Sequence, residues 1–419
     1  MNILELDVLK NPCSSTIEIP GSKSYTNRAL VIAALTKGAV VLRNPLYSED
    51  TEALIACLRM LGLYIETLPD QTIVHDDISV IENRYYELFA KDSGTTLRFL
   101  LPFLCLIPGT KVIVGNCRLN ERPIKELVDA LRLLGAKIDY LEKEGQAPLK
   151  IDSSALSGSR ITIDASISSQ FLSALLMIAP LLNGLRICHH GEVISKPYIE
   201  MTIRMMQEWG VGVLRMDDGS YLIPEGKSYQ KKHYVIEGDF SSAGYFFAIA
   251  ALTRSTLTIK NLNPYSLQAD SKFLNILEEM GNEVIISSQA VTLVGKQILP
   301  LSFTMEDCPD QVQTMAVLAA FAKGTTKISG VRSLRLKETE RVKALKKELA
   351  KMGIKTEDSP DTLTIFGGSP HAALIDTYGD HRMAMAFAVA GKKLPGMQIA
   401  HPEVVNKTFP TFWEKLNSL

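Results

Sequence analysis

Six times along this 419-residue chain, a polar turn carrying Ser, Gly or Asp runs into a stretch of small apolar residues. The copies are GSKSYTNRALVIAAL from Gly21, SGTTLRFLLPFLC from Ser93, SSQFLSALLMIAP from Ser168, FSSAGYFFAIAAL from Phe240, PDQVQTMAVLAAFA from Pro309 and GDHRMAMAFAVAG from Gly379. Successive starts lie 72, 75, 72, 69 and 70 residues apart. A second marker keeps the same period: amphipathic stretches end at Gly62, Gly135, Gly210, Gly281 and Gly353, spaced by 73, 75, 71 and 72 residues. Two independent markers on one period make chance a poor explanation and point to six like units.

Each unit has its own internal order. The stretches before the glycines follow helical spacing, as in Ile124, Leu127, Val128, Leu131 and Leu134, with Gly135 placed for a left-handed C-terminal cap. The stretches after them, such as VGVLRMDDGSYLI and NEVIISSQAVTLVG, alternate and read as hairpins. The Ala/Leu/Met-rich helices are apolar nearly all round, so they belong inside the protein. Each unit therefore reads as strand, buried helix, strand, covering helix and hairpin. A solenoid would need shorter units; these are the size of small α/β subdomains.

Six units suggest two lobes of three with a cleft between them: an N-terminal lobe over 20–236, and a C-terminal lobe made of 1–19 plus 237–419. The seam falls near 233–238, after the basic stretch GKSYQKKH. The sixth unit ends in a helix near 409–416 and has no hairpin after it. The strand before Gly21 is expected to supply that missing edge, so the chain starts in the C-terminal lobe and crosses over near Pro20.

Composition narrows the function. Hydrophobic residues make up 46% and charged residues 22%, with 45 basic against 46 acidic side chains, a net charge of −1. That is an ordinary globular profile, and it excludes a nucleic-acid binder working through bulk charge. Cys13, Cys57, Cys105, Cys117, Cys188 and Cys308 are scattered without C-x-x-C spacing, as expected of reduced thiols in the cytoplasm. The start MNILELDVLKNP has no apolar signal region, and the longest apolar runs are too short to span a bilayer. The adjacent His189 and His190 do not converge on one ion, so no metal is expected.

Although the chain is neutral, cations gather in the turns that open the helices: Lys23 and Arg28 with Ser24; Arg98 with Gly94 and Thr95, followed by Arg122; Lys196 after Ser195, with Ser168, Ser169 and Gln170 upstream and Tyr198 beyond; then Lys337, Arg341, Arg382 with His381, and Lys407. Helix-start N–H groups joined to hydroxyls and a cation make an anion pocket. One such turn is more often an ordinary N-cap, but recurrence at equivalent points of a repeat points to a small substrate with several phosphates or carboxylates. GSKS is not a P-loop, because G-x-x-x-x-G-K-[ST] is absent. Asp310, Glu338 and Asp380 lie among the cations; each reads either as a helix-end residue or as an acid or base.

The segments GSKSYTNRAL, SGTTLR, ERPIKELVDAL, SSQFLSALL, SKPYIE, PDQVQT, LKETERV, GDHRMAM and KTFP, in this order, closely resemble the 5-enolpyruvylshikimate-3-phosphate synthase family of enolpyruvyl transferases. The likeness runs from about Pro20 to Pro410. It implies an α/β fold known as a two-lobed inside-out α/β barrel, built from six βαβαββ repeats, three per lobe. It also implies a cofactor-free reaction of the shikimate pathway, and so of aromatic amino-acid biosynthesis: shikimate 3-phosphate and phosphoenolpyruvate give enolpyruvylshikimate phosphate and inorganic phosphate. Carried onto this sequence, Lys23 bridges both substrates, while Ser24, Arg28, Ser168, Ser169, Gln170, Ser195, Tyr198, Asp310 and Lys337 surround shikimate 3-phosphate. Gly94, Arg122, Gln170, Arg341, His381, Arg382 and Lys407 serve phosphoenolpyruvate. Asp310 takes the proton of the attacking hydroxyl, and Glu338 protonates the methylene carbon with Lys407 or His381 assisting. A monomer is expected, because the repeats bury their faces within the chain.

The family is the target of glyphosate, and this chain departs from its usual pattern near that site. Where relatives read Gly-Asn-Ala/Ser-Gly-Thr, it has Lys91-Asp92-Ser93-Gly94-Thr95; Ser333 stands in place of Asn, and Glu340 makes ETER of the commoner ETDR. An added carboxylate beside an anion site weakens binding unless Lys91 offsets it. The nearest rival is the sister transferase acting on UDP-N-acetylglucosamine, whose loop cysteine matches Gly115-Asn116-Cys117 followed by Arg122-Pro123. Arg118 would favour a thiolate there. That family lacks KS-x-x-NR, SKPY and DHRMAM, so Cys117 reads as incidental. A non-catalytic anion binder on the same scaffold is the remaining alternative, and retention of Asp310 and Glu338 speaks against it.

Overall fold

A computed structural model describes residues 2–152, 156–182 and 184–419. The chain divides into two compact units, Gly21–Ile236 and a second made of Met1–Pro20 with Glu237–Leu419.

In the Gly21–Ile236 unit, three four-stranded sheets share one plan. Tyr85–Phe89 lies parallel to Thr110–Val114, which pairs antiparallel with Leu149–Asp152, and Lys137–Tyr140 forms the edge. The parallel pair is joined through a helix, as parallel neighbours require, and Lys137–Tyr140 with Leu149–Asp152 forms an antiparallel hairpin. The other two sheets run His233–Val235, Val40–Arg43, Gln71–Val74, Ile65–Leu68 and Arg160–Asp164, Leu185–His190, Tyr221–Ile223, Leu214–Arg215. His189 and His190 close the end of Leu185–His190.

The second unit repeats the plan twice and then shortens it. Ser14–Glu18, Thr256–Lys260, Ala290–Val294 and Glu283–Ile286 make one sheet; Ser302–Thr304, Gly324–Ser329, Thr362–Gly367 and Lys355–Ser359 make the next. The last has three strands, with Ile3–Glu5 antiparallel to Gln398–Ala400 and Leu374–Ile375 parallel to it. The missing edge of the sixth unit thus comes from residues 3–5. The strand nearest Gly21, Ser14–Glu18, serves the fourth sheet instead. The C-terminal helix is Phe412–Asn417, preceded by 3-10 turns at Pro402–Lys407.

Two strands are thereby exchanged. The strand just before the helix Lys23–Ala34 belongs to the second unit, and the strand just before Phe240–Thr253 belongs to the first. An asparagine in the left-handed conformation brackets each crossing: Asn44 at φ 54° and Asn261 at φ 67°. The Asn44 amide donates to the Ile236 carbonyl at 2.9 Å, and that of Asn261 donates to the Ile19 carbonyl at 3.3 Å. Glycine is required beside each bracket, since a Cβ on Gly21 would stand 2.0 Å from the Asn44 carbonyl oxygen and one on Gly238 2.3 Å from that of Asn261.

The apolar helices form the cores. In Phe240–Thr253 every residue except Ser241 is buried, and His381–Gly391 is buried throughout. The covering helices show one apolar face, as in Lys125–Leu133, where Leu127, Val128, Ala130 and Leu131 are buried. Among the described residues, no helix is long and apolar enough to cross a membrane.

Candidate active site

In the Gly21–Ile236 unit, the starts of the buried helices are stitched into one polar network. Lys23 opens Lys23–Ala34 and pairs at 3.0 Å with the buried carboxylate of Asp50, in the first turn of Glu49–Met60. The Asp50 carbonyl accepts from Thr96, whose hydroxyl also reaches Ser93, the N-cap of Gly94–Cys105. One turn on, Arg98 donates to the Gln170 side-chain oxygen at 2.7 Å, and the Gln170 amide donates to Thr95 at 3.1 Å. Ser168 caps the helix Ser169–Ile178 by accepting from the Gln170 amide N–H. Arg98 also lies over the Phe171 ring.

Arg28 completes the circuit. It is 2% exposed and donates to the Thr202 hydroxyl at 2.7 Å, the Ser173 hydroxyl at 3.3 Å, and the carbonyls of Ser24 and Tyr198 at 3.0 and 3.1 Å. All of these acceptors are neutral, and burial lowers its pKa to about 10. A cation held in this way supplies positive potential without a countercharge, which suits an incoming anion. Ser195, in the left-handed conformation at φ 50°, immediately precedes Lys196–Glu208, which carries Tyr198 and Thr202. Gly94 leaves room for Arg122: a Cβ there would stand 2.7 Å from its Nη1. The Arg122 Nε is buried without a hydrogen-bond partner, so the guanidinium sits at the start of Gly94–Cys105 with donor capacity to spare.

The departures in the 91–95 loop are accommodated locally. Lys91 takes φ 51°, and Asp92 accepts from the Asn116 amide at 2.6 Å. Cys117 opens a four-residue helix and is exposed, while Arg118 pairs with Glu121 at 2.9 Å.

The second unit gathers carboxylates around arginine. Arg341, 1% exposed, opens Arg341–Lys351 and donates to Asp380 at 2.7 Å, Asp310 at 3.1 Å and Glu338 at 2.9 Å. Burial works against its charge, but Asp380, Glu338 and Asp310 outweigh it and hold its pKa above the ordinary value. Arg382 grips the other Asp310 oxygen at 2.8 Å and also reaches the Asp310 carbonyl at 3.2 Å. Lys407 lies 3.3 Å from the second Glu338 oxygen. Asp380 caps His381–Gly391 through the Arg382 amide, and His381 lies 3.7 Å from it. Lys337, half-buried and extended, follows the 3-10 segment Arg332–Leu336.

Of the acids, Asp380 is a helix cap and also an arginine partner. Asp310 lies within the short 3-10 segment Pro309–Gln311, and Glu340 is the N-cap of the helix that follows Glu338. Asp310 and Glu338 are the partly open members, at 22% and 16% side-chain exposure, each tied to two cations. Two residues escape sequence reasoning. Asp50 looks like a routine first-turn acid. Asp270, 2% exposed, sits in a short 3-10 turn with one oxygen receiving the Ser241 hydroxyl and the other without a partner. Burial first, then the charge of Asp310, pushes its carboxyl up to about 7. Among the described residues, no group of three or more His, Cys, Asp or Glu side chains could hold a metal ion.

One unit therefore offers cations and helix starts for anions, and the other a pair of carboxylates poised on arginines for proton transfer. A family model for EPSP synthase (3-phosphoshikimate 1-carboxyvinyltransferase) matches residues 9–416. A 3-phosphoshikimate 1-carboxyvinyltransferase of Nostoc punctiforme is 40% identical over 419 residues, covering 99% of this chain and 98% of the relative. One of Sulfurovum is 42% identical, covering 96% of each. The solved EPSP synthase of Acinetobacter baumannii superposes with a TM-score of 0.82 at 23% identity over 99% of this chain and 98% of its own, a likeness of fold. On the family match and these relatives, the chain belongs to the EPSP synthase family.

Proposed function

We propose that this chain transfers the enolpyruvyl group of phosphoenolpyruvate to the 5-hydroxyl of shikimate 3-phosphate, releasing phosphate, in aromatic amino-acid biosynthesis. The observation that carries the reading is the division of labour between Asp310 and Glu338: both are partly open, and each is anchored to two cations.

In the proposed course, Glu338 gives a proton to C3 of phosphoenolpyruvate, and positive charge develops at C2. The 5-hydroxyl oxygen bonds to C2 while its proton passes to Asp310, giving a tetrahedral phosphate ketal. The C2–O bond to phosphate then breaks, the proton held by Asp310 leaving with the phosphate, and a proton leaves the new methyl group for the Glu338 carboxylate, restoring the double bond and both carboxyl groups to their starting states. One acid and one base suffice when cations hold the reactants. Lys23, Ser24, Arg28, Ser168, Ser169, Gln170, Ser195, Tyr198 and Lys337 are proposed to hold shikimate 3-phosphate, its phosphate drawn by the uncompensated charge of Arg28. Gly94, Arg122, Arg341, His381, Arg382 and Lys407 are proposed to receive phosphoenolpyruvate, with Lys23 bridging the two. As the phosphoenolpyruvate carboxylate engages Arg341 and Arg382, it competes with Asp310 and so releases that residue to accept its proton. No cofactor enters this course. A monomer working in the cytoplasm accords with the reading.

The test is the product. Incubation with shikimate 3-phosphate and phosphoenolpyruvate should give a species with vinyl methylene proton resonances and an intact shikimate ring. Unchanged spectra from folded protein would refute the proposal.

A further inference from the structure

The Arg341–Lys351 helix carries two charged side chains on one face. Arg341 and Glu348 are seven residues, or two turns, apart, and so stand about 10 Å from each other along the axis. Arg341 holds Asp380. Glu348, with 0% side-chain exposure, accepts from the Tyr378 hydroxyl at 2.5 Å, the Asp376 amide N–H at 3.0 Å and Lys351 at 2.6 Å. The helix thus bolts the segment 376–380 at both ends.

Between the bolts the backbone is strained. Tyr378 and Gly379 take φ 54° and 67°, and a non-glycine residue there costs roughly 1 kcal/mol. Such a turn persists only when its surroundings over-determine it. Here the Tyr378 N–H donates to the Asp376 carboxylate at 3.0 Å and the Asp380 N–H to the Thr377 carbonyl at 2.8 Å. Burial and the neighbouring Glu348 raise the phenol pKa of Tyr378, so it stays a donor. An ion pair with Lys351, itself 36% exposed, gives no reason to bury Glu348 completely. Holding this turn does. The residues that follow are Asp380, which seats Arg341, and Arg382, which grips Asp310.

We infer that Glu348 is a positioning residue of the transfer reaction: it fixes the turn that seats Asp380, and through Arg341 and Arg382 it aims Asp310 and Glu338. The inference rests on the proposed reaction, and its test separates the two. In Glu348→Gln the single side-chain oxygen can accept from Tyr378 or from the Asp376 amide, not both. The expected result is a kcat lowered about tenfold or more, with a much smaller change in KM for shikimate 3-phosphate, because Lys23 and Arg28 are untouched. In a Tyr378→Phe background one donor is gone, so the same change should lower kcat far less. Exchange of the Asp380 and Arg382 amide hydrogens should quicken in Glu348→Gln, a readout that needs no turnover. An unchanged kcat with only a lower melting temperature would overturn the inference, as would unchanged exchange. Absent turnover in the parent protein would refute the proposed reaction, while exchange would still decide whether Glu348 holds the turn.

Discussion

Replacing Asp270 with Asn is expected to stabilise the protein at alkaline pH and to do little near pH 4. The folded chain raises this carboxyl from 3.8 to about 7, chiefly through burial and then the charge of Asp310, against the pull of Arg382 and the Ser241 hydroxyl; Asp239 adds to the rise. Because the folded pKa lies above the unfolded one, the native state keeps a proton that the unfolded chain has already released. Stability from this group is therefore full below about pH 4 and is lost as pH rises towards about 7, at about 1.4 kcal/mol per pH unit, or about 4 kcal/mol in all. Asn removes the titration while its oxygen can still accept from Ser241. Urea unfolding followed by tryptophan fluorescence reads this directly, since Trp413 shares the unit of Asp270 and Trp209 lies in the other. The gain from Asp270→Asn near pH 8 should exceed that near pH 4.5 by about 3 kcal/mol. Equal effects at both pH values, or a loss at pH 8, would refute the reasoning.

Other perturbations probe the remaining parts. Arg341→Met leaves Asp380, at 0% exposure, as a buried charge without its arginine, and should lower stability by about 3–5 kcal/mol in urea unfolding. Gly21→Ala puts a Cβ 2.0 Å from the Asn44 carbonyl oxygen, and the forced shift should lower stability by about 1–3 kcal/mol in the same assay. Cys117→Ser should leave turnover intact, because this exposed thiol has no part in the proposed chemistry; a loss of more than about tenfold in phosphate release would revive the nucleotide-sugar reading.

Much of the architecture is legible in the sequence because it repeats. The buried helices announce themselves as all-apolar runs, and Gly62, Gly135, Gly210, Gly281 and Gly353, all at positive φ, mark the ends of the covering helices. The strand exchange is harder to read. Nothing local in Ser14–Glu18 tells which sheet it joins, since pairing with Thr256–Lys260 is settled by partners more than two hundred residues away. The cations of the site could be picked out because they recur at equivalent turns. Asp270 and Glu348 could not: one lies in an unremarkable QADS segment, the other in KKELAK, which reads as a solvated helix face. Their significance comes from burial, a tertiary property. The sequence marks Arg341 as one more cation at a helix start; in the structure it donates to Asp310, Glu338 and Asp380.

In the proposed reaction this chain moves an enolpyruvyl group onto shikimate 3-phosphate by means of Asp310 and Glu338. The most direct measurement is phosphate release from phosphoenolpyruvate, with shikimate 3-phosphate as acceptor in one cuvette and UDP-N-acetylglucosamine in the other. Release is expected only with shikimate 3-phosphate and should be abolished by Asp310→Ala and by Glu338→Ala. Release only with the nucleotide sugar, or release with shikimate 3-phosphate that survives both substitutions, would contradict it.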